Sequence, residues 1–82
     1  MSNGDMFDEK TDAMIFYAFR YCLGRASYAV WHCADYLIEN WARLSLETRS
    51  KIHREINVAF KNNMYGHEGD REDWQRVLDT PA

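Results

Sequence analysis

The segment Ala18–Trp41, AFRYCLGRASYAVWHCADYLIENW, crowds aromatic and small apolar side chains around one Leu23-Gly24-Arg25 break and ends at a polar boundary. A chain of 82 residues has a small interior, so aromatics at this density must build the core or form a contact surface. One proline, Pro81, and four glycines leave long stretches free to form helices. With 46% apolar residues the chain can bury a core, and it is short enough for one domain. These properties predict an all-α fold.

Helical spacing places the elements. A first helix is expected from Thr11 or Asp12, both good N-cap types, to Leu23, with Gly24 as its left-handed stop. Ile15, Ala18, Phe19, Cys22 and Leu23 share its inner face, and Tyr17, Arg20 and Tyr21 the opposite one. A second helix from Ala26 or Ser27 to Trp41 or Arg43 carries the stripe Ala26, Val30, Cys33, Ala34, Leu37, Ile38 and Trp41. Ser45 caps a third helix reaching Asn62, with Ile52, Ile56, Ala59 and Phe60 inward and Lys51, Arg54 and Lys61 on an outer arc. After the turn Asn62–Gly69, Asp70 caps a short helix whose apolar residues are Trp74, Val77 and Leu78. The expected architecture is a compact bundle of three main helices plus a short C-terminal one, over residues 11–82. Residues 1–10 read as a flexible acidic arm that Phe7 is placed to anchor.

Net charge is −3 but unevenly spread. Residues 1–12 hold four acids against one lysine, and residues 67–82 five acids against two arginines; the middle holds seven basic residues against four acids. Such a balance disfavours a general nucleic-acid binder, which needs a strongly basic surface, while allowing a local basic patch and protein partners. No run approaches a membrane span, and the acidic N-terminus lacks the basic start and apolar middle of a signal peptide, which points to the cytoplasm. Cys22 and Cys33 are then expected reduced, as small hydrophobes on buried stripes. They lack a CxxC motif or a flanking base, and two thiols make no disulfide framework.

His32, Asp35 and Glu39 fall at i, i+3 and i+7, so one helix face presents an imidazole and two carboxylates. Metal sites in bundles draw ligands from several helices, and no second set exists here, so the face reads as solvated and no metal or cofactor is expected. The same carboxylates would repel phosphates if Tyr28 and its neighbours entered a DNA groove as a helix-turn-helix. No glycine-rich phosphate loop, nucleophile–base pair or paired catalytic carboxylates appear, so no enzyme is expected. Tyr17, Arg20 and Tyr21 are of the types enriched at interface hot spots; a dimer interface or a cover of the N-terminal arm would use them equally well. Lys51, Arg54 and Lys61 read as a solvated face, or as a contact to phosphate or an acidic protein. The candidate partner-binding set is therefore Tyr17, Arg20, Tyr21, Arg25, Tyr28, Lys51, Arg54 and Lys61.

An aromatic-Arg-Tyr, Leu-Gly-Arg, Ser-Tyr-Ala-Val pattern runs through Phe19, Arg20, Tyr21, Leu23, Gly24, Arg25, Ser27, Tyr28, Ala29 and Val30, followed by Asp35, Tyr36, Leu37 and Ile38. Over about a third of the chain, this resembles small phage and prophage accessory proteins. The resemblance implies a phage setting, in which small non-enzymatic products include inhibitors of host defence, anti-CRISPR proteins among them. It implies a binding protein whose partner is a host complex such as a CRISPR–Cas effector, blocked sterically. The acidic ends (Asp5, Asp8, Glu9, Asp12; Glu68, Asp70, Glu72, Asp73) could mimic phosphate toward a basic groove. The alternatives are a nucleic-acid-binding regulator using Arg20, Arg25, Lys51, Arg54 and Lys61, and a structural homodimer joined through Tyr17 and Tyr21.

Overall fold

Caps and apolar spacing divide the chain into α1 (Glu9–Cys22), α2 (Ala29–Glu39), α3 (Leu46–Lys61) and α4 (Glu68–Leu78), with a 3-10 turn (Trp41–Arg43) between α2 and α3. The computed structural model describes residues 5–25 and 29–81. Among them there is no strand, and the chain is an all-α bundle. None of its helices is long and apolar enough to cross a membrane.

The helix starts show which polar residues do the capping. α1 begins at Glu9, before Thr11, because Asp8 is its cap: the carboxylate accepts the Thr11 N–H at 2.7 Å. That backbone hydrogen bond, reinforced by the Thr11 side chain, holds the Asp8 carboxyl below its ordinary value. Phe7 and Asp5 are held against Arg43. The Phe7 N–H donates to the Arg43 carbonyl at 2.9 Å, the Arg43 guanidinium lies 4.2 Å over the Phe7 ring, and Arg43 Nε donates to the Asp5 carbonyl. The expected start of α2 at Ala26 or Ser27 lies outside the described residues. Its α-helix ends at Glu39, short of Trp41, because the chain tightens at Asn40 into the 3-10 turn. That turn brings Trp41 inward, where its indole N–H donates to the Pro81 carbonyl at 2.8 Å and its ring stacks on His53.

Ser45 caps α3 as expected, its hydroxyl accepting the Thr48 N–H at 3.1 Å. α4 starts at Glu68, earlier than the sequence suggested. Asp70 sits one turn in, where its carboxylate accepts the His67 N–H at 3.1 Å and favours the positive end of the helix.

Phe19, Val30, Ala34, Leu37, Leu44, Ile52, Ile56, Trp74 and Val77 are each no more than 1% exposed and form one core. Burying a large side chain of this kind contributes roughly 1.5–3 kcal/mol. Trp74 fills the centre, edge-on to Phe19 with ring centroids 5.4 Å apart. Helix α4 packs chiefly on α2, and α1 chiefly on α3. The inner stripe expected for α1 holds at Phe19 but not throughout. Ile15, Cys22 and Leu23 are half-buried and Ala18 is exposed, because α1 and α2 do not close completely along that side.

Candidate partner-binding face

The corner after α1 is built around Gly24. Leu23 ends the helix in extended backbone with its N–H donating to the Phe19 carbonyl, and Gly24 then turns left-handed at φ +88°. The Arg25 N–H returns to the Cys22 carbonyl at 3.0 Å. A Cβ at Gly24 would lie 3.0 Å from the Met64 carbonyl oxygen, so the corner abuts the α3–α4 turn. Gly24→Ala is therefore expected to lose about 1–2 kcal/mol, from the left-handed conformation alone. Gly69→Ala, at a helical position with nothing within 4 Å, is expected to be neutral or gain up to ~1 kcal/mol. Urea unfolding of the two variants checks both signs.

Three predicted site residues, Arg20, Tyr21 and Arg25, meet at this corner, and Tyr17 lies one helical turn back along α1. Tyr17 and Tyr21, one helical turn apart on α1, are 70% and 66% exposed. Arg20 reaches α3, its Nε 3.6 Å from Glu55, and the Arg25 guanidinium lies 4.1 Å over the Tyr21 ring. Arg20, Tyr21 and Arg25 line an open cleft of about 580 Å³ with Asn63, Met64 and Gly66. Val58, which helical spacing puts on the outer arc of α3, and Met64, which sequence reasoning missed, are exposed apolar side chains that border Arg20. Aromatic rings, guanidinium groups and apolar side chains on one surface give large contact area with hydrogen-bonding capacity. Tyr28 lies outside the described residues.

Compared with known proteins, the chain matches no family model, no curated protein and no solved structure.

The remaining predicted basic residues do not join the corner. Lys51 turns toward α1, half-buried, with its ammonium 4.7 Å from the centre of the Phe16 ring, so the outer arc expected of α3 is not continuous. Arg54 and Lys61 line another shallow groove of about 500 Å³, on the outer side of α3, which shares Val58 with the border of the corner. Four of the eight residues of the acidic ends are also engaged within the fold. Asp8 caps α1, Asp12 receives hydrogen bonds from Ser45 and Thr48, Asp70 holds the start of α4, and Asp73 pairs with Arg76 at 3.0 Å. Asp35, expected on a solvated face with His32 and Glu39, pairs with the same Arg76 across α2 and α4. Hydrogen bonding to Asp35, ahead of its charge and of Asp73, outweighs the desolvation of Arg76 and raises its pKa. Among the described residues no cluster of three His, Cys, Asp or Glu could hold a metal ion.

The structure adds a second surface. An open groove of about 540 Å³ separates α1 from α2, with Met14, Ile15 and Ala18 on one wall and Tyr36 and Leu37 on the other. Cys22 and Cys33 both line it, half-buried where deep burial was expected. Desolvation, then the neighbouring Cys22, pushes the Cys33 thiol up to about 12. Helical periodicity marks both cysteines as inward-facing but carries no signal for which neighbour each one meets.

Proposed function

We propose that this chain is a non-enzymatic, phage-encoded binding protein that acts in the host cytoplasm and inhibits a bacterial defence complex by steric block. A CRISPR–Cas effector is the leading candidate. The reading rests on one structural observation: Tyr21 stands largely exposed with Arg20 and Arg25 on a corner bordered by exposed Met64 and Val58, and equally exposed Tyr17 continues that surface one turn back along α1. Two tyrosines this open contribute little to the fold, whereas at an interface each would bury a large, rigid ring. The phage setting comes from the resemblance of the Phe19–Val30 segment.

The test is phage plating on cells with active CRISPR–Cas immunity. Expression of the chain is expected to restore plaques, and the tagged protein to retain a subunit of that complex. The double variant Tyr17→Ala, Tyr21→Ala should keep its helical circular dichroism and lose the effect. A hot-spot loss of ~2 kcal/mol per ring corresponds to about a 30-fold drop in affinity each. Unimpaired immunity in the presence of the wild-type chain would remove the reading. Restored plating by the double variant would remove this corner as the contact surface.

A structural homodimer is the second reading, favoured by Met14, Tyr17 and Tyr21 lying exposed on one helix. Light scattering separates it: a dimer that the double tyrosine variant dissociates supports it, and a monomer at all concentrations excludes it. The nucleic-acid alternative has less support, since its five basic residues divide among the corner, the α1–α3 seam and the outer groove of α3.

A further inference from the structure

We propose that Cys22 and Cys33 are a modification site, forming a reversible disulfide with a peroxide as oxidant that clamps the end of α1 to α2. The inference is independent of the function proposed above. Cys22 is the last residue of α1, and Cys33 lies just over one turn into α2. The intervening chain turns back through Gly24 at φ +88°, bringing the two helices alongside. Both thiols line the same open groove and pack against the same core. Neither is deeply buried, so a small oxidant reaches them from solvent. The groove wall around them is otherwise apolar apart from Thr11 and His32, leaving the two sulfurs as its only thiol chemistry among the described residues.

The chemistry divides between the two sulfurs. Cys22 gives up its proton and its thiolate attacks hydrogen peroxide: the O–O bond breaks, an S–O bond forms, and the departing hydroxide takes up that proton as water, leaving a sulfenic acid. Cys33 sulfur then attacks Cys22 sulfur; the S–O bond breaks, the S–S bond forms, and a second water carries away the Cys33 proton. Two thiols lose two electrons and one peroxide becomes two waters. Cys33, whose desolvated thiol resists ionisation, is suited to the resolving step more than to the first attack. A dithiol reductant reverses the bond by exchange. The product closes a short ring across the corner that carries Tyr21 and Arg25.

The full chain, fully reduced, is treated with one equivalent of hydrogen peroxide, alkylated and digested with trypsin without reductant. Trypsin cleaves after Arg20, Arg25 and Arg43, so the linked product is Tyr21–Arg25 joined to Ala26–Arg43. The expected result is this species, with an intact mass two hydrogens lower that dithiothreitol restores. It should form ~10-fold faster in the folded protein than in urea, because the fold holds the sulfurs together. Cys22→Ser and Cys33→Ser should each abolish it. Linkage no faster in the folded protein than in urea would overturn the proposal. So would oxidation that yields only intermolecular bridges, or only sulfinic acid at Cys22. The comparison of folded with urea-treated wild type decides the point even if a serine variant fails to fold.

Discussion

Trp74→Ala is expected to leave the chain largely unfolded at 37 °C. Trp74 is fully buried, and its ring meets Phe19 edge-on where α4 closes over the other helices. Truncating a buried tryptophan removes its transfer free energy and leaves a cavity, together costing about 3–5 kcal/mol. The loss of the aromatic pair adds to that cost. A domain of this length holds only roughly 5–10 kcal/mol of net stability, so the variant sits at or near its limit. Trp74→Phe gives the informative contrast. The indole N–H has no hydrogen-bond acceptor among the described residues, so phenylalanine removes an uncompensated buried donor while retaining an aromatic ring against Phe19. It should therefore lose less than half of what alanine loses. Urea unfolding monitored by circular dichroism measures both; equal losses in the two variants would show that the ring contributes little beyond the indole's extra atoms.

Local signals in the sequence were dependable where the physics is local. Ser45 caps α3 because a hydroxyl placed just before a helix can always reach an N–H in its first turn. Gly24 follows α1 because the turn from Cys22 to Arg25 that leaves the helix needs a left-handed residue at its third position, where a Cβ is unfavourable. The core positions Val30, Ala34, Leu37, Ile52 and Ile56 follow from periodicity, which sets the face on which each side chain lies. Periodicity does not say which helix that face meets. Lys51 reads as part of an outer arc until α1 arrives beside it and the ammonium settles over Phe16. Asp35 reads as a solvated carboxylate until α4 brings Arg76, 41 positions away. Cys22 and Cys33 are inward-facing on separate helices, and only the packing of α1 beside α2 makes them neighbours.

The proposed interface follows the same division. Tyr17, Arg20 and Tyr21 are set apart by sequence because a largely aromatic solvent face is unusual for a helix, and they remain exposed in the structure. Met64 was invisible as a contributor because it lies in a turn with no periodic pattern. Its placement depends on Gly24 packing against its backbone. The α3–α4 turn thereby extends the corner of α1. Gly24 serves both the turn that leaves α1 and the assembly of this surface.

Asp12→Asn should destabilise the chain by about 2 kcal/mol at neutral pH, with a loss that shrinks in acid. Asp12 was expected to cap α1; one turn inside that helix, it instead reaches the start of α3. Its carboxylate accepts the Ser45 N–H and the Ser45 hydroxyl, each at 2.9 Å, and the hydroxyl of buried Thr48. Ser45 Oγ in turn accepts the Thr48 N–H, so one carboxylate orients the whole cap while complementing the positive end of α3. Burial by itself would raise the Asp12 pKa. Hydrogen bonds from Thr48 and Ser45, with the Lys51 charge, outweigh it and hold the group below the ordinary value of 3.8. Asparagine keeps one oxygen acceptor but lacks the charge and the second oxygen, so part of the network is left unpaired; the ~2 kcal/mol reflects charge-assisted hydrogen bonds at a partly exposed site. Because the folded pKa is depressed, the contribution is fully present above the unfolded value and is lost as pH falls through the folded one. Asp8, which also titrates low, is common to both proteins and cancels in the difference. Urea unfolding of wild type and variant at pH 7 and in steps down to about pH 2 should show the two curves converging below the ordinary carboxylate range. A gap that stays constant down to that pH would mean that the charge on Asp12 does not hold α1 to α3.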